Sequence, residues 1–120
     1  MRPDPQAFAD EWVAAWNALD VERVLSHYAE DIVFVTPNAI RFTGDPSGRV
    51  VGRTALRDYW SRALQMVAQA GGLVFTLRSV LSGPDGVAVR YHSSRTDAEV
   101  VEVFRFGADG LVHESAAYYE

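Results

Sequence analysis

Two turn signals divide the second half of the chain. Ser82-Gly-Pro-Asp-Gly86 and Gly107-Ala-Asp-Gly110 each gather glycine and aspartate between runs rich in β-branched and aromatic residues. That is the chemistry of a hairpin loop, because these residues accept backbone angles that others avoid. The spacing predicts four strands, Leu73–Leu81, Val87–Arg95, Glu99–Phe106 and Leu111–Tyr119. Strands joined by connections this short pair antiparallel, and no other feature restricts the fold so tightly.

The first half reads differently. Phe8, Trp12, Ala15, Trp16 and Leu19 recur at helical spacing and predict an amphipathic helix over residues 5–18. Asp20 is placed to cap a second, short helix that carries Val24, Leu25 and Tyr28 on one face. Ile32–Thr36 alternates as a strand, and residues 37–52, with two prolines and three glycines, read as a long loop of the kind that borders binding sites. Thr54 then caps a third helix with the stripe Leu56, Trp60, Ala63, Leu64 and Val67, stopped by Gly71-Gly72. Helices first and antiparallel strands afterwards define an α+β class in one domain, residues 1–120.

Charge and composition exclude several functions. The 120 residues carry 11 basic and 16 acidic groups, a net charge of −5, and no basic run, which argues against nucleic acid or an anionic membrane as partner. No cysteine or lysine is present, so thiolate and Schiff-base chemistry are out of reach. The histidines and acids show no metal-ligand spacing, and there is no phosphate-binding glycine loop, so neither a metal nor a cofactor is expected. No segment has the length or apolarity of a membrane span or a signal core, which makes the cytoplasm the expected location.

Strand alternation then locates the candidate chemistry. Pairing Phe106 with Leu111 sets Phe104 opposite His113 and Glu102 opposite Ser115. The face turned to the helices would carry Val87, Val89, Tyr91, Glu102, Phe104, Phe106, His113, Ser115, Ala117 and Tyr119. Glu102 is an acid on an apolar face, where desolvation raises a carboxyl pKa and suits it to proton transfer. The structural alternative is a glutamate satisfied by Trp12 and a neighbouring hydroxyl. His113, within diagonal reach, is either a partner of Glu102 or a satisfied core histidine. Trp12, Tyr28, Thr36, Trp60, Tyr91 and Phe104 are candidates to line a pocket for a small apolar or aromatic molecule, while Trp16 reads as core. The opposite face carries Val101, Val103, Ala116 and Tyr118, apolar enough to predict a homodimer interface.

The succession of helix, Asn17-Ala-Leu-Asp20, short helix, Tyr28-Ala-Glu-Asp-Ile-Val-Phe-Val-Thr-Pro37, the Gly52-Arg-x-x-Leu-Arg-Asp-Tyr-Trp60 helix and the terminal Phe104–Glu120 hairpin resembles the nuclear transport factor 2-like superfamily. The ketosteroid isomerase and SnoaL-like polyketide cyclase branches are the nearest in pattern. The resemblance implies a conical barrel of three helices packed in a strongly curved, mostly antiparallel sheet, with a pocket at one end, and it favours a dimer. Matched position by position with the isomerase, the aspartate base before the proline becomes Thr36. The tyrosine and aspartate of the oxyanion site become Trp12 and Glu102, and two pocket aromatics become Tyr28 and Trp60. A threonine cannot act as a base near neutral pH, so ordinary ketosteroid isomerisation is disfavoured. The functional expectation is a small-molecule pocket protein, an isomerase- or cyclase-like enzyme working on an apolar carbonyl compound through Glu102 and His113. The alternative is a binding or dimerisation module of the same fold.

Overall fold

The computed structural model describes residues 2–120. Helix α1 spans Pro5–Asn17, opened by Pro5 at its first position and by the Asp4 side chain, which accepts from the Ala7 N–H at 2.9 Å. Helix α2, Val21–Leu25, begins as its aspartate foretells, with Asp20 accepting from the Arg23 N–H at 3.1 Å. Strand β1 covers Tyr28–Val35, starting four residues earlier than the alternation indicated. The stretch expected as loop contains a one-turn helix α3, Ala39–Thr43, and a three-residue strand β2, Arg49–Val51.

Helix α4 runs Arg53–Gln69, and its cap corrects the sequence reading: the residue before it is Gly52 at φ 91°, and Thr54 lies inside the first turn. Gly71 and Gly72, at φ 103° and 106°, end it as expected. Strands β3 (Phe75–Ser82), β4 (Gly86–Ser93), β5 (Ala98–Phe106) and β6 (Val112–Tyr119) follow.

The six strands form one sheet in the order β2-β1-β6-β5-β4-β3, antiparallel except where β1 runs parallel to β6. Gly86 is forced at the β4–β5 edge, since a Cβ there would sit 1.8 Å from the Phe104 carbonyl oxygen. The concave face closes over α1 and α4 with a core that includes Phe8, Trp12, Val24, Leu25, Ile32, Leu56, Val89 and Phe104. Phe8 and Trp12 both meet the Phe104 ring edge-on, at centroid distances of 4.9 and 5.2 Å. Among the described residues, no helix is long and apolar enough to cross a membrane.

The last hairpin departs from the expected register. Phe104 pairs with Ser115 and Glu102 with Ala117, and a bulge after Arg105 brings Phe106 opposite Val112. Alternation along β5 itself holds: Val100, Glu102 and Phe104 are buried, and Val103 and Arg105 are exposed. On the convex face, Val35, Ala116, Val103, Ala88 and Leu81 pair successively across five strands as one apolar rung. Leu81 is 59% exposed and the neighbouring Tyr118 63%. The rung is flanked by the Arg105–Glu114 ion pair on one side and Arg90–Glu99 on the other, a mixed-sign border that a second copy can complement. We propose that this face pairs with its counterpart in a homodimer. Sedimentation equilibrium at tens of micromolar should give the dimer mass, and the double variant Val103→Glu, Tyr118→Glu should give a folded monomer; a monomeric parent protein refutes the interface.

Candidate functional site

A cavity of about 490 Å³ opens at the end of the sheet where β1 and β6 finish and β3 and β5 begin. Helix α4 lines one wall with Tyr59, Trp60, Ala63, Leu64 and Val67, one α-helical face brought to the opening. The sheet supplies Phe34 of β1, Phe75 of β3, Tyr91 and Ser93 of β4, Val100 and Glu102 of β5 and Tyr119 of β6. Asn38 and Arg41 enter from the α3 region, and Arg95 from the turn after β4.

Glu102 is the only carboxylate in this lining. It is 6% exposed, and its Oε1 accepts from the Tyr91 hydroxyl at 3.1 Å. Its Oε2 is buried and has no hydrogen-bond partner among the described residues. Burial pushes the carboxyl up to about 8, with the Tyr91 bond acting weakly the other way. Burial also holds the surrounding phenols in their protonated form. Tyr59 is raised to about 12, and Tyr91 and Tyr119 are raised by burial and then by the Glu102 charge. The cavity thus joins one carboxyl of near-neutral pKa with neutral phenol donors on an apolar wall.

The sequence-derived candidates divide. Glu102, Trp60 and Tyr91 line the cavity. Trp12, Tyr28 and Phe104 do not: they are fully buried behind it, and the Trp12 indole N–H donates to the Tyr28 hydroxyl at 3.0 Å. Trp12 is therefore satisfied by Tyr28 and does not hold Glu102. Thr36 is also enclosed, at 1% exposure, with its hydroxyl 3.3 Å from the Tyr119 hydroxyl and accepting from the Asn38 N–H at 3.4 Å. It reaches the cavity through two lining residues, Asn38 and Tyr119, and the Asn38 side chain bonds the same phenol.

His113 is a correction. It occupies the β6 bulge, half-exposed, between Asp109 at 3.1 Å and Asp31 at 3.3 Å, far from the lining residues of the cavity in both register and environment. The error has one cause. The bulge adds a residue that the four-residue loop pairing omitted, so the side chain expected inward is displaced from that face. Trp16, read as core, is in the lining, one helical turn beyond Trp12 and edge-on to Trp60 at 4.9 Å. Tyr59 has no counterpart in the sequence reading, and Tyr119 appears there only as an inward residue; Tyr59 is adjacent to Trp60 on the cavity side of α4, and Tyr119 lies on the inward alternation of β6, two rungs past Ala117. No group of histidines and acids among the described residues has the arrangement of a metal site.

Comparison with known proteins agrees with this architecture. A family model described as the SnoaL-like domain matches residues 9–115. A SnoaL-like protein of unknown function from Burkholderia thailandensis is 37% identical and superposes with a TM-score of 0.90, over 97% of this chain and 93% of its own. TerC, co-crystallised with polyporic acid, superposes at 0.76 with 18% identity, over 98% and 92% of the two chains. A nuclear transport factor 2-like protein of unknown function from Burkholderia xenovorans superposes at 0.74 with 18% identity, over 96% and 81%. No curated protein sequence matches the chain.

The buried carboxyl should register in stability. From the ordinary carboxyl value near 4.5 up to about 8, native Glu102 keeps a proton that the unfolded chain has released. Stability therefore falls as pH rises through that window and levels off above it. Glu102→Gln removes the titration. The variant should match the parent near pH 5 and exceed it near pH 9, by up to about 4 kcal/mol if the full shift is expressed. Urea unfolding at both pH values measures this, and an unchanged difference between parent and variant would place the carboxyl in contact with water.

Proposed function

The chain belongs to the SnoaL-like family, and from that premise we propose that it is a small-molecule enzyme that moves a proton on an apolar carbonyl compound, with Glu102 as the base. The observation that carries this reading is Glu102 in the lining of an apolar cavity, its Oε2 buried and without a hydrogen-bond partner among the described residues, on a carboxyl pushed up to about 8. A base is most effective when its pKa lies near the working pH. The Tyr91 hydroxyl fixes Oε1 and leaves Oε2 to act.

In this reading the ionised Oε2 removes a hydrogen from the carbon beside the carbonyl. The electron pair of the broken C–H bond moves onto the carbonyl oxygen as an enolate, stabilised by phenol donors of the Tyr59 and Tyr119 type. The same carboxyl returns the proton to carbon, at the original or a conjugated position, so the net change is an exchange or an isomerisation and needs no co-reactant. TerC, a protein of similar fold co-crystallised with polyporic acid, supports a small organic molecule in the cavity. With His113 outside the cavity, a single titrating group does the work. The alternative is a pocket that binds without catalysis.

Deuterium exchange into the carbon acid 2-tetralone, followed by NMR, tests the proposal without knowledge of the natural substrate. The protein should accelerate exchange with a rate that rises with pH through about 8, and Glu102→Gln should lower it by about a hundredfold or more. A rate that falls across that pH range contradicts the role as base. Parent-rate exchange in the glutamine variant removes Glu102 from the chemistry, and ligand binding with no exchange at all selects the binding-module alternative.

A further inference from the structure

The mouth of the cavity has a charge that the proposed chemistry does not use. Arg41 and Arg95 both line it, and neither makes a hydrogen bond or ion pair with any described residue. Arg49, outside this cavity, shares that state, whereas the other arginines that follow it do not. From Arg53 onward, every other arginine has a carboxylate at ion-pair distance. The two come from separate connections, Arg41 from α3 and Arg95 from the turn joining β4 to β5, which meet at one end of the sheet. Arg95 is near enough to the cavity phenols for its charge to favour the ionised forms of Tyr59 and Tyr119. Glu102, the only acid in the lining, is largely protonated at neutral pH and offsets neither cation. A protein of net charge −5 therefore holds a cationic entrance to an apolar chamber.

We propose that the ligand of this cavity is an anion: a flat aromatic acid whose carboxylate is held by Arg41 and Arg95 at the mouth while its ring packs on the wall of Trp60, Phe75 and Tyr91. A guanidinium presents a planar fork of N–H donors that fits a carboxylate in two parallel hydrogen bonds. Two unpaired forks beside an aromatic surface suit a molecule with one charged and one apolar end, and they leave the region near Glu102 Oε2 for the uncharged, reacting part. A cationic mouth also draws anions in against the overall charge of the protein. The inference rests on the reading of the cavity as a small-molecule site and specifies what enters it.

The test compares 2-naphthoate with 2-naphthalenemethanol, which share a ring system and differ in charge. Titration at pH 7 and low salt, read from the indole N–H signals of Trp16 and Trp60 by NMR, reports binding at the cavity itself. Naphthoate should bind about tenfold more tightly than the alcohol, and the difference should shrink with added salt. The double variant Arg41→Gln, Arg95→Gln alters two exposed side chains and should fold normally, bind the alcohol as the parent does, and lose the preference for the anion. Equal affinity of the two probes, an anion preference that survives the double variant, or no binding of either at millimolar concentration overturns the proposal. Glu102→Gln should keep the preference for the anion, so loss of the proton-transfer reading and loss of this one would appear in different measurements.

Discussion

The wall of the cavity depends on the register of β5. With side chains alternating across the sheet, Val100, Glu102 and Phe104 turn inward while Val103 and Arg105 turn out. A slip of one residue would put Glu102 in water and bring Arg105 under α1, where its guanidinium would meet an aromatic core with no acid to receive it. The packing of Phe104 against Phe8 and Trp12 makes such a slip costly. The aromatic core and the polar site are consequences of one choice of pairing. The same contacts that bury Phe104 take Glu102 out of water two residues away.

Behind the cavity, two small polar groups are satisfied by side-chain partners. Trp12 is paired with Tyr28, and Thr36 with Tyr119 and Asn38. This inner layer explains the threonine before Pro37. At that place a carboxylate would be enclosed together with Tyr119 and would be a second buried acid in the same neighbourhood as Glu102. A hydroxyl can donate and accept there at no electrostatic cost. The one carboxyl in the cavity lining thereby stands on β5, and the end of β1 positions a phenol.

Those features governed by local chemistry were legible in the sequence: the two hairpin turns, the capping aspartate at Asp20, the glycine stop after α4 and the alternation of β5. Those that failed depend on a single inserted residue or on distance along an element. Nothing in Leu111-Val-His-Glu114 announces a bulge, yet it moves His113 from the concave face to a half-exposed site between two aspartates. Trp12 and Trp16 share one helical stripe, and periodicity cannot say which of two residues a turn apart meets solid core and which meets the opening. Thr54 was read as a cap because its hydroxyl is suited to one, whereas the turn is made by Gly52 through backbone freedom alone. α3 and β2 are too short to generate any period.

The parallel pairing of β1 with β6 has a consequence for how the molecule is made. Phe34 lies beside Ser115, and Val35 beside Ala116, so a strand synthesised early, already able to pair with β2, waits for a strand far later in the sequence before it acquires its second neighbour. Contacts this distant in sequence carry a large loop-closure cost and tend to form late. The β3–β6 meander, linked by short turns, can assemble by itself, but the chamber is finished only when β1 docks on β6. A nascent chain therefore holds its aromatic residues unsheltered until β6 has emerged, and the interval before docking is when the protein is most exposed to aggregation and proteolysis.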